Sequence, residues 1–411
     1  MTAAPPADTR SRARAGPRDA QGGRCLFWTA VFWLSLLGLV YVYAGYPLLA
    51  WLVGAVLDRR VQAAAPGAHR PTVTVLIAAF NEARHIGTTV RNKLAQDYPP
   101  GKLDVIVVSD ASEDGTDDLV RAIDGGRVHL LRQEPRAGKT AALNLAMPHA
   151  TGEIIVFSDA NSLYAPDTVA RLVECFADRD VGYVTGRMVY KAPDGSLSGE
   201  GCSAYMRYEN QLRAWETQLG SIVGVDGGVD AIRRQLYRPM RADQLPDFVQ
   251  PLRVREQGYR VVYQPEALLY EDALAATGDE YRMRVRVSLR AFHALKDMRA
   301  LLDPARFGVF AWQMWSHKVL RYLAFVFMAG CLAAAGVLAF RPGGAFWRWV
   351  LAAEILFYAA AAAGHVAGPR LRGPARLAGL ATYLCVLNLA SAHAFGQFLL
   401  GRKQVTWKPR T

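Results

Sequence analysis

Apolar residues in this chain are arranged in two ways. Four stretches are apolar almost without interruption, while between the first and second of them apolar residues come in short bursts separated by polar segments. Cys25–Leu57 carries no charge over 33 residues and Tyr322–Phe340 none over 19. Trp349–Val366 holds one acid, Glu354, and Leu377–Gly401 one histidine, His393. A helix needs about 20 apolar residues to cross about 30 Å of hydrocarbon, so each run predicts a membrane span. The first is too long, and too poor in a small-residue cleavage site, for a removable signal peptide. A break at Pro47 would fold it into a hairpin; without that break the four crossings leave both basic termini opposite the soluble domain. Glu354 and His393 lie inside the apolar runs, where a polar group marks function by default, with helix packing the plainer reading of His393.

The region between the first and second runs reads differently. Pro71–Glu82, Leu103–Ser109, Arg127–Arg132, Glu153–Phe157 and Gly182–Tyr190 predict strands, several without polar alternation, as expected of strands covered on both faces. Helical patterns at Ala83–Ala95, Asp117–Ile123, Lys139–Met147 and Pro166–Phe176 separate them. Strands and helices alternating at this interval predict an α/β, doubly wound, mostly parallel sheet with its ligand site where the strand ends gather. The chain then divides into a disordered basic tail at 1–24, a transmembrane segment at 25–57, the α/β domain at 71–278, an amphipathic interfacial segment at 279–316, three transmembrane helices within 318–401 and a basic tail at 402–411.

Charge and cysteine narrow the picture. The net charge of +12 is spread over tail, loops and one helix. It lacks the aromatic interleaving of a nucleic-acid surface, which excludes nucleic acid as the partner, and suits membrane lipid headgroups and phosphates. The five cysteines show neither CxxC nor Cys/His ligand spacing, so neither a disulfide framework nor a zinc site is indicated.

The candidate chemistry sits at the strand ends. In EIIVFSDAN, Asp159 stands just past a buried strand and Asn161 follows with a second oxygen, a pair suited to a hard divalent cation such as Mg2+ or Mn2+ that also meets a diphosphate. Capping of the next helix is the plainer alternative. In SDASEDGT the spacing from Asp110 imitates a calcium loop, but its twelfth position is Arg121 and no helix precedes it. A strand-to-helix turn, with Ser112 or Asp114 capping and Asp110 free to accept from a base or ribose, fits better. Gly138-Lys139-Thr140 resembles the end of a P-loop, yet the first glycine position is Gln133.

Residues 71–290, about half the chain, resemble a family 2 glycosyltransferase of the GT-A type. The motifs LIAAFNE, VSDASEDGT, AGKTAALN, FSDAN, GVDGGVDAIRR and PDFVQPLRVREQGYRVVYQPEA occur in that order, followed by a basic segment from Tyr281. With apolar spans on both sides, the chain further resembles the membrane-embedded branch that includes polysaccharide, chitin, hyaluronan and cellulose synthases. The resemblance implies that Ala79, Glu82 and Asp110 meet the base and ribose and that Lys139 lies near the diphosphate. It implies that Asp159 and Asn161 form the metal site, that Gly227 and Gly228 approach the acceptor, and that Asp247 is the catalytic base. Asn161 departs from an aspartate, and Pro246 replaces an acid that often precedes the base. The family's QxxRW pattern falls at Met283–Val287, where only Arg286 matches, which speaks against processive polymerisation.

Around Arg286, Tyr281, Val285, Ser288, Phe292 and Leu295 share one helical face and a row of basic residues another, which predicts a helix able to lie at a membrane surface. The reading that follows is a hexosyltransferase of the cell (inner) membrane, its catalytic domain cytoplasmic. It moves a sugar from a nucleotide-sugar, here a UDP-sugar, to a glycan or lipid-linked acceptor in cell-envelope or exopolysaccharide synthesis. A polysaccharide synthase that extrudes its polymer, a membrane-anchored nucleotidyltransferase and a catalytically silent nucleotide-binding subunit are the alternatives.

Overall fold

The computed structural model describes residues 17–123, 126–191, 200–272, 277–367 and 376–404. Most of the expected basic N-terminal tail (residues 1–16), the stretches 192–199 and 368–375, and the final residues 405–411 lie outside the described residues.

Eight strands form one sheet: β1 (Val73–Ala79), β2 (Leu103–Asp110), β3 (Val128–Gln133), β4 (Ile154–Asp159), β5 (Leu163–Tyr164), β6 (Val181–Lys191), β7 (Asp230–Arg233) and β8 (Arg260–Asp272). Their order is β3-β2-β1-β4-β7-β6-β8-β5. The first four run parallel, β7 is antiparallel to both β4 and β6, and β6 pairs β8 in parallel. The five expected strands are present with ends shifted by one to a few residues; β5, β7 and β8 are additional. Strand β8 escapes a reading by pattern because Pro265 interrupts it, and a proline removes a ladder donor. The register with β6 slips at that place, between the pairs Thr185–Tyr263 and Arg187–Leu268.

All seven residues of β1 are buried, as a strand sandwiched on both faces requires. Alternate residues feed two cores. Leu76, Ile106 and Phe157 point to one, and Val75, Ile77, Val107 and Val156 to the other. Each such side chain contributes about 1.5–3 kcal/mol by leaving water. The first core also takes Phe310 and Met314, so a segment leading into the membrane region completes the core of the domain.

Three helices are long and apolar enough to cross a membrane: Gly23–Leu57, Ala345–Val366 and Ala378–Leu399. A fourth candidate, Val309–Tyr322 with Ala324–Ala339, is bent by 55°. The hairpin at Pro47 does not form. Helix Pro17–Val40 passes through a π-helical turn, Tyr41–Gly45, into helix Tyr46–Leu57 without reversing. Pro47 lies in the first turn of that last segment, where its missing N–H leaves no bond unmade. Large apolar side chains such as Trp33, Leu34, Trp349, Leu356 and Leu389 face outward from these helices, as lipid contact demands.

The amphipathic helix is present as Thr277–Asp297, but its apolar face is not spread on a membrane surface. Val285, Leu289 and Phe292 pack against Ala390 and Ala394 of the last helix. Protein covers the face that the pattern assigned to lipid. His393 shares this contact, its ring nitrogens 3.1 Å from the Tyr281 hydroxyl and 2.9 Å from Gln397.

Candidate active site

Strand order directs the site. β1 lies between β2 and β4, so the chain leaves it toward one edge and returns on the other side, which opens a crevice at the carboxyl ends. Because β7 is antiparallel, its start adjoins the end of β4, with Phe157 opposite Asp230. The residues before β7, Gly227 and Gly228, therefore reach the same crevice as Asp159.

One ion cluster occupies it. The Lys139 ammonium, at the start of helix Lys139–Ala146, lies 2.7 Å from Asp159 Oδ1 and 3.3 Å from Asp247 Oδ1. Asp247 projects from the first turn of helix Pro246–Glu256. Lys139 and Asp247, 108 positions apart in the chain, thus meet directly. Burial would lower the lysine, but the carboxylates of Asp159 and Asp247 outweigh it and hold the ammonium above its ordinary value.

The two glycines fit between the carboxylates. Gly227 has φ +78° and Gly228 φ +72°, left-handed values that glycine adopts without strain. A Cβ on Gly227 would stand 3.0 Å from Asp247 Cγ, and one on Gly228 3.1 Å from Asp159 Oδ2. Expected at the acceptor, these residues lie against both acids.

Several supporting residues were not expected. Asp230 is fully buried beside Asp247, and neither carboxylate oxygen has a hydrogen-bond partner among the described residues. Burial and then the charge of Asp247 raise it well above the usual carboxylate range, which favours its protonated form. Lys93 is also fully buried. Its ammonium donates to the Ser162 carbonyl at 2.6 Å and lies 3.5 Å from the Tyr164 ring centre, pinning the turn that carries Asn161. The Tyr164 hydroxyl is 2.7 Å from the Gly228 carbonyl and 3.0 Å from that of Phe157, tying the glycine loop to β4.

Two expectations change. Asp110 is not free to accept from a base or ribose: it is fully buried and accepts from Gln133 Nε2 at 2.5 Å, Ala137 N at 2.8 Å and Gly138 N at 3.0 Å. Its carboxylate shapes the loop that presents Lys139. Ala79 is wholly buried, its methyl in the core, so only its backbone faces the crevice. Arg286 is half-buried on helix Thr277–Asp297, and it is Arg290, one turn on, that contacts the site's framework. Arg290 donates to the Gln244 carbonyl and reaches Thr140 Oγ1 at 3.4 Å. Burial pushes its guanidinium down to about 10 against the opposing pull of Asp247.

The remaining candidate residues lie at the strand ends. Glu82 is half-buried after β1, its N–H bonded to Thr116 Oγ1 at 2.9 Å. Ser112 and Asp114 accept from Asn81 N and Ala83 N at 3.1 and 2.9 Å, locking the loops after β1 and β2 together. Asn161 sits in the turn between β4 and β5. Among the described residues no group of three or more His, Cys, Asp or Glu side chains gathers as a metal cage. The donor set at Asp159 and Asn161 suits an ion that takes most of its ligands from substrate and water. An ammonium already lodged on Asp159 shows that the position favours a cation.

Comparison with known proteins follows the same lines. The Glycosyl transferase family 2 profile matches residues 74–238. A beta-monoglucosyldiacylglycerol synthase of Trichormus variabilis is 31% identical over 169 residues, 40% of this chain and 36% of that protein. A poly-beta-1,6-N-acetyl-D-glucosamine synthase of Staphylococcus aureus is 24% identical over 266 residues, 61% of this chain and 64% of that one. The chain thus spans little more than a third of the length of the first relative and under two thirds of the second. A mannosyltransferase from Pyrobaculum calidifontis, solved with GDP-Man and Mn2+, is 26% identical, with a TM-score of 0.68 over 90% of this chain and 99% of that one. Residues 74–238, on a sheet of GT-A-like type, thus form a domain that matches glycosyl transferase family 2.

Proposed function

We propose that the chain is an inverting, metal-dependent glycosyltransferase of hexosyltransferase type that takes a nucleotide-sugar as donor. Its seat is the cell (inner) membrane, its catalytic domain faces the cytoplasm where such donors are made, and its acceptor is a glycan or lipid-linked sugar. The observation that carries this reading is the Lys139 ammonium held between Asp159 and Asp247, with Gly227 and Gly228 leaving room beside both acids.

The roles follow from the geometry. Asp247 takes the proton from the acceptor hydroxyl as that oxygen attacks the anomeric carbon and the bond to the diphosphate breaks. Asp159 and Asn161 are the residues to hold Mg2+ or Mn2+, which when bound supplies positive charge to the departing diphosphate. Lys139 is placed to add its own charge there. Neutral Asp230 keeps a second negative charge away from the base. Asp110 acts by shaping the loop before Lys139, and Arg290 by docking its helix beside Asp247.

The test is nucleotide release and sugar transfer in membranes, with a panel of UDP- and GDP-sugars and Mn2+ or Mg2+, for wild type and Asp247→Asn. Metal-dependent transfer abolished by the substitution supports the reading. Nucleotide binding without turnover by any donor contradicts it and favours a silent subunit. A processive synthase is the second reading, favoured by the likeness to the S. aureus polymer synthase over 266 residues. A product ladder supports it, and a single added sugar rules it out.

A further inference from the structure

A cavity of about 120 Å3 lies where the domain meets the membrane helices. Its walls include Tyr43 from the π turn of the first helix, Glu209 from helix Glu200–Leu219, Arg284 from helix Thr277–Asp297, Lys318 and Arg321 from the bent helix, and Asn388 from the last. Three walls come from helices fit to cross a membrane and the others from the domain, so an occupant has one part among spans and the other beside the soluble fold.

The charges are unequal. Three cations line the cavity against one carboxylate, and that carboxylate is committed: Glu209 lies 2.6 Å from Arg321 and 3.2 Å from His317. The Arg284 guanidinium donates to the Tyr383 hydroxyl at 2.6 Å. Lys318 has no hydrogen bond and no ion pair among the described residues; its ammonium faces the Phe248 ring at 5.4 Å. A half-buried cation with no ion pair of its own among the described residues favours an anionic ligand.

The cavity also adjoins the catalytic loop. Phe248 is the residue after Asp247. A Cβ on Gly224 would stand 2.3 Å from Lys318 Nζ, so this glycine leaves the lysine its place, three residues before Gly227. Arg213 fastens the intervening Asp226 at 2.5 Å.

We propose that this cavity binds the phosphate-bearing headgroup of a membrane lipid, gripped by Lys318, Arg284 and Arg321, and that it is the acceptor side of the transferase site. The lipid's chains run between the spans and its head lies against the loop that carries Gly227. This rests on the transferase reading for its role as acceptor, but the binding itself is measured without turnover.

The experiment uses the full chain in phosphatidylcholine nanodiscs doped with a photoreactive phosphatidic acid, with labelled residues located by peptide mass spectrometry. Wild type is expected to label at the cavity, at Val287 or Leu387. Lys318→Gln and Arg284→Gln should each cut that labelling about tenfold or more, and Lys318→Arg should restore it. UDP or GDP binding, read by tryptophan fluorescence, should be the same in all variants and shows that they fold. Equal labelling by a neutral photoreactive diacylglycerol, or labelling indifferent to both substitutions, overturns the proposal. Displacement of the label by inorganic phosphate reassigns the cavity to soluble anions and overturns the lipid assignment. Intact labelling with no sugar transfer from any donor strikes the transferase reading and not the binding site.

Discussion

Two buried charge clusters lie on either side of the loop from Gly220 to Gly228, and they differ in how well they are satisfied. At the junction with the membrane helices, Glu216 Oε1 accepts from the Tyr46 hydroxyl at 2.5 Å and lies 2.7 Å from His317 Nδ1, while Oε2 accepts from Val223 N at 3.2 Å. Glu209 meets Arg321 and His317, and Arg213 meets Asp226. Every acid there has a partner on another element. In the crevice, Asp159 and Asp247 share the ammonium of Lys139, and among the described residues both oxygens of the neighbouring Asp230 go without a hydrogen bond. The first cluster joins domain to membrane helices. The second leaves a buried acid unsatisfied beside Asp247, as functional sites do more often than structural ones.

The largest effect that tests this contrast is at the base. Asp247→Asn should lower sugar transfer by about 10²–10⁴-fold, with nucleotide binding retained; a variant that keeps full activity would remove the distinction between the clusters. Next comes the junction. Glu216→Ala strands Tyr46 and His317 and should destabilise the fold by about 3–5 kcal/mol in thermal or denaturant melts, with turnover per folded molecule unchanged. If Glu216→Ala left stability alone and slowed transfer, the junction would belong to the chemistry.

Two smaller effects sharpen the picture. Lys139→Met removes the cation that competes for Asp159, so Mn2+ binding without donor, followed by electron paramagnetic resonance, should tighten by about tenfold. Weaker binding would mean that the lysine helps to build the metal position. Asp230→Asn isolates the strain of the buried acid. Folding raises the Asp230 pKa, so below its unfolded value of about 3.9 both states hold the proton, and above it only the native state does. Wild-type stability from this group is therefore present in acid and lost as pH rises toward the folded value. The amide variant should melt higher than wild type at neutral and alkaline pH, with the gap closing on acidification; a gap independent of pH would refute the neutral assignment.

How far the sequence reaches varies along the chain. Strands β1, β2 and β4 declare themselves because a parallel strand buried on both faces must be apolar throughout, and Asp159 is conspicuous as the first acid after such a run. Asp247 has no local signature and was reached through resemblance alone. Asp230 begins a four-residue strand whose sequence, Asp-Ala-Ile-Arg, carries no periodicity, and Lys93 reads as an ordinary surface lysine on an amphipathic helix. Helical spacing puts Arg286 and Arg290 on the same basic face; only the docking of that helix against Gln244 and Thr140 selects Arg290.

By itself, then, the sequence determined the four apolar runs, the parallel half of the sheet and the strand-end acids, because hydrophobic burial and strand or helix periodicity are local properties of the chain. Tertiary structure alone decided that Lys139 bridges Asp159 and Asp247 and that Asp110 is spent on its own loop. It also decided that protein covers the amphipathic helix and that Lys318 stands unpaired beside Phe248. These depend on which distant segments meet, and the free energy of a buried charge is set by its neighbours in space, not by its neighbours in the chain.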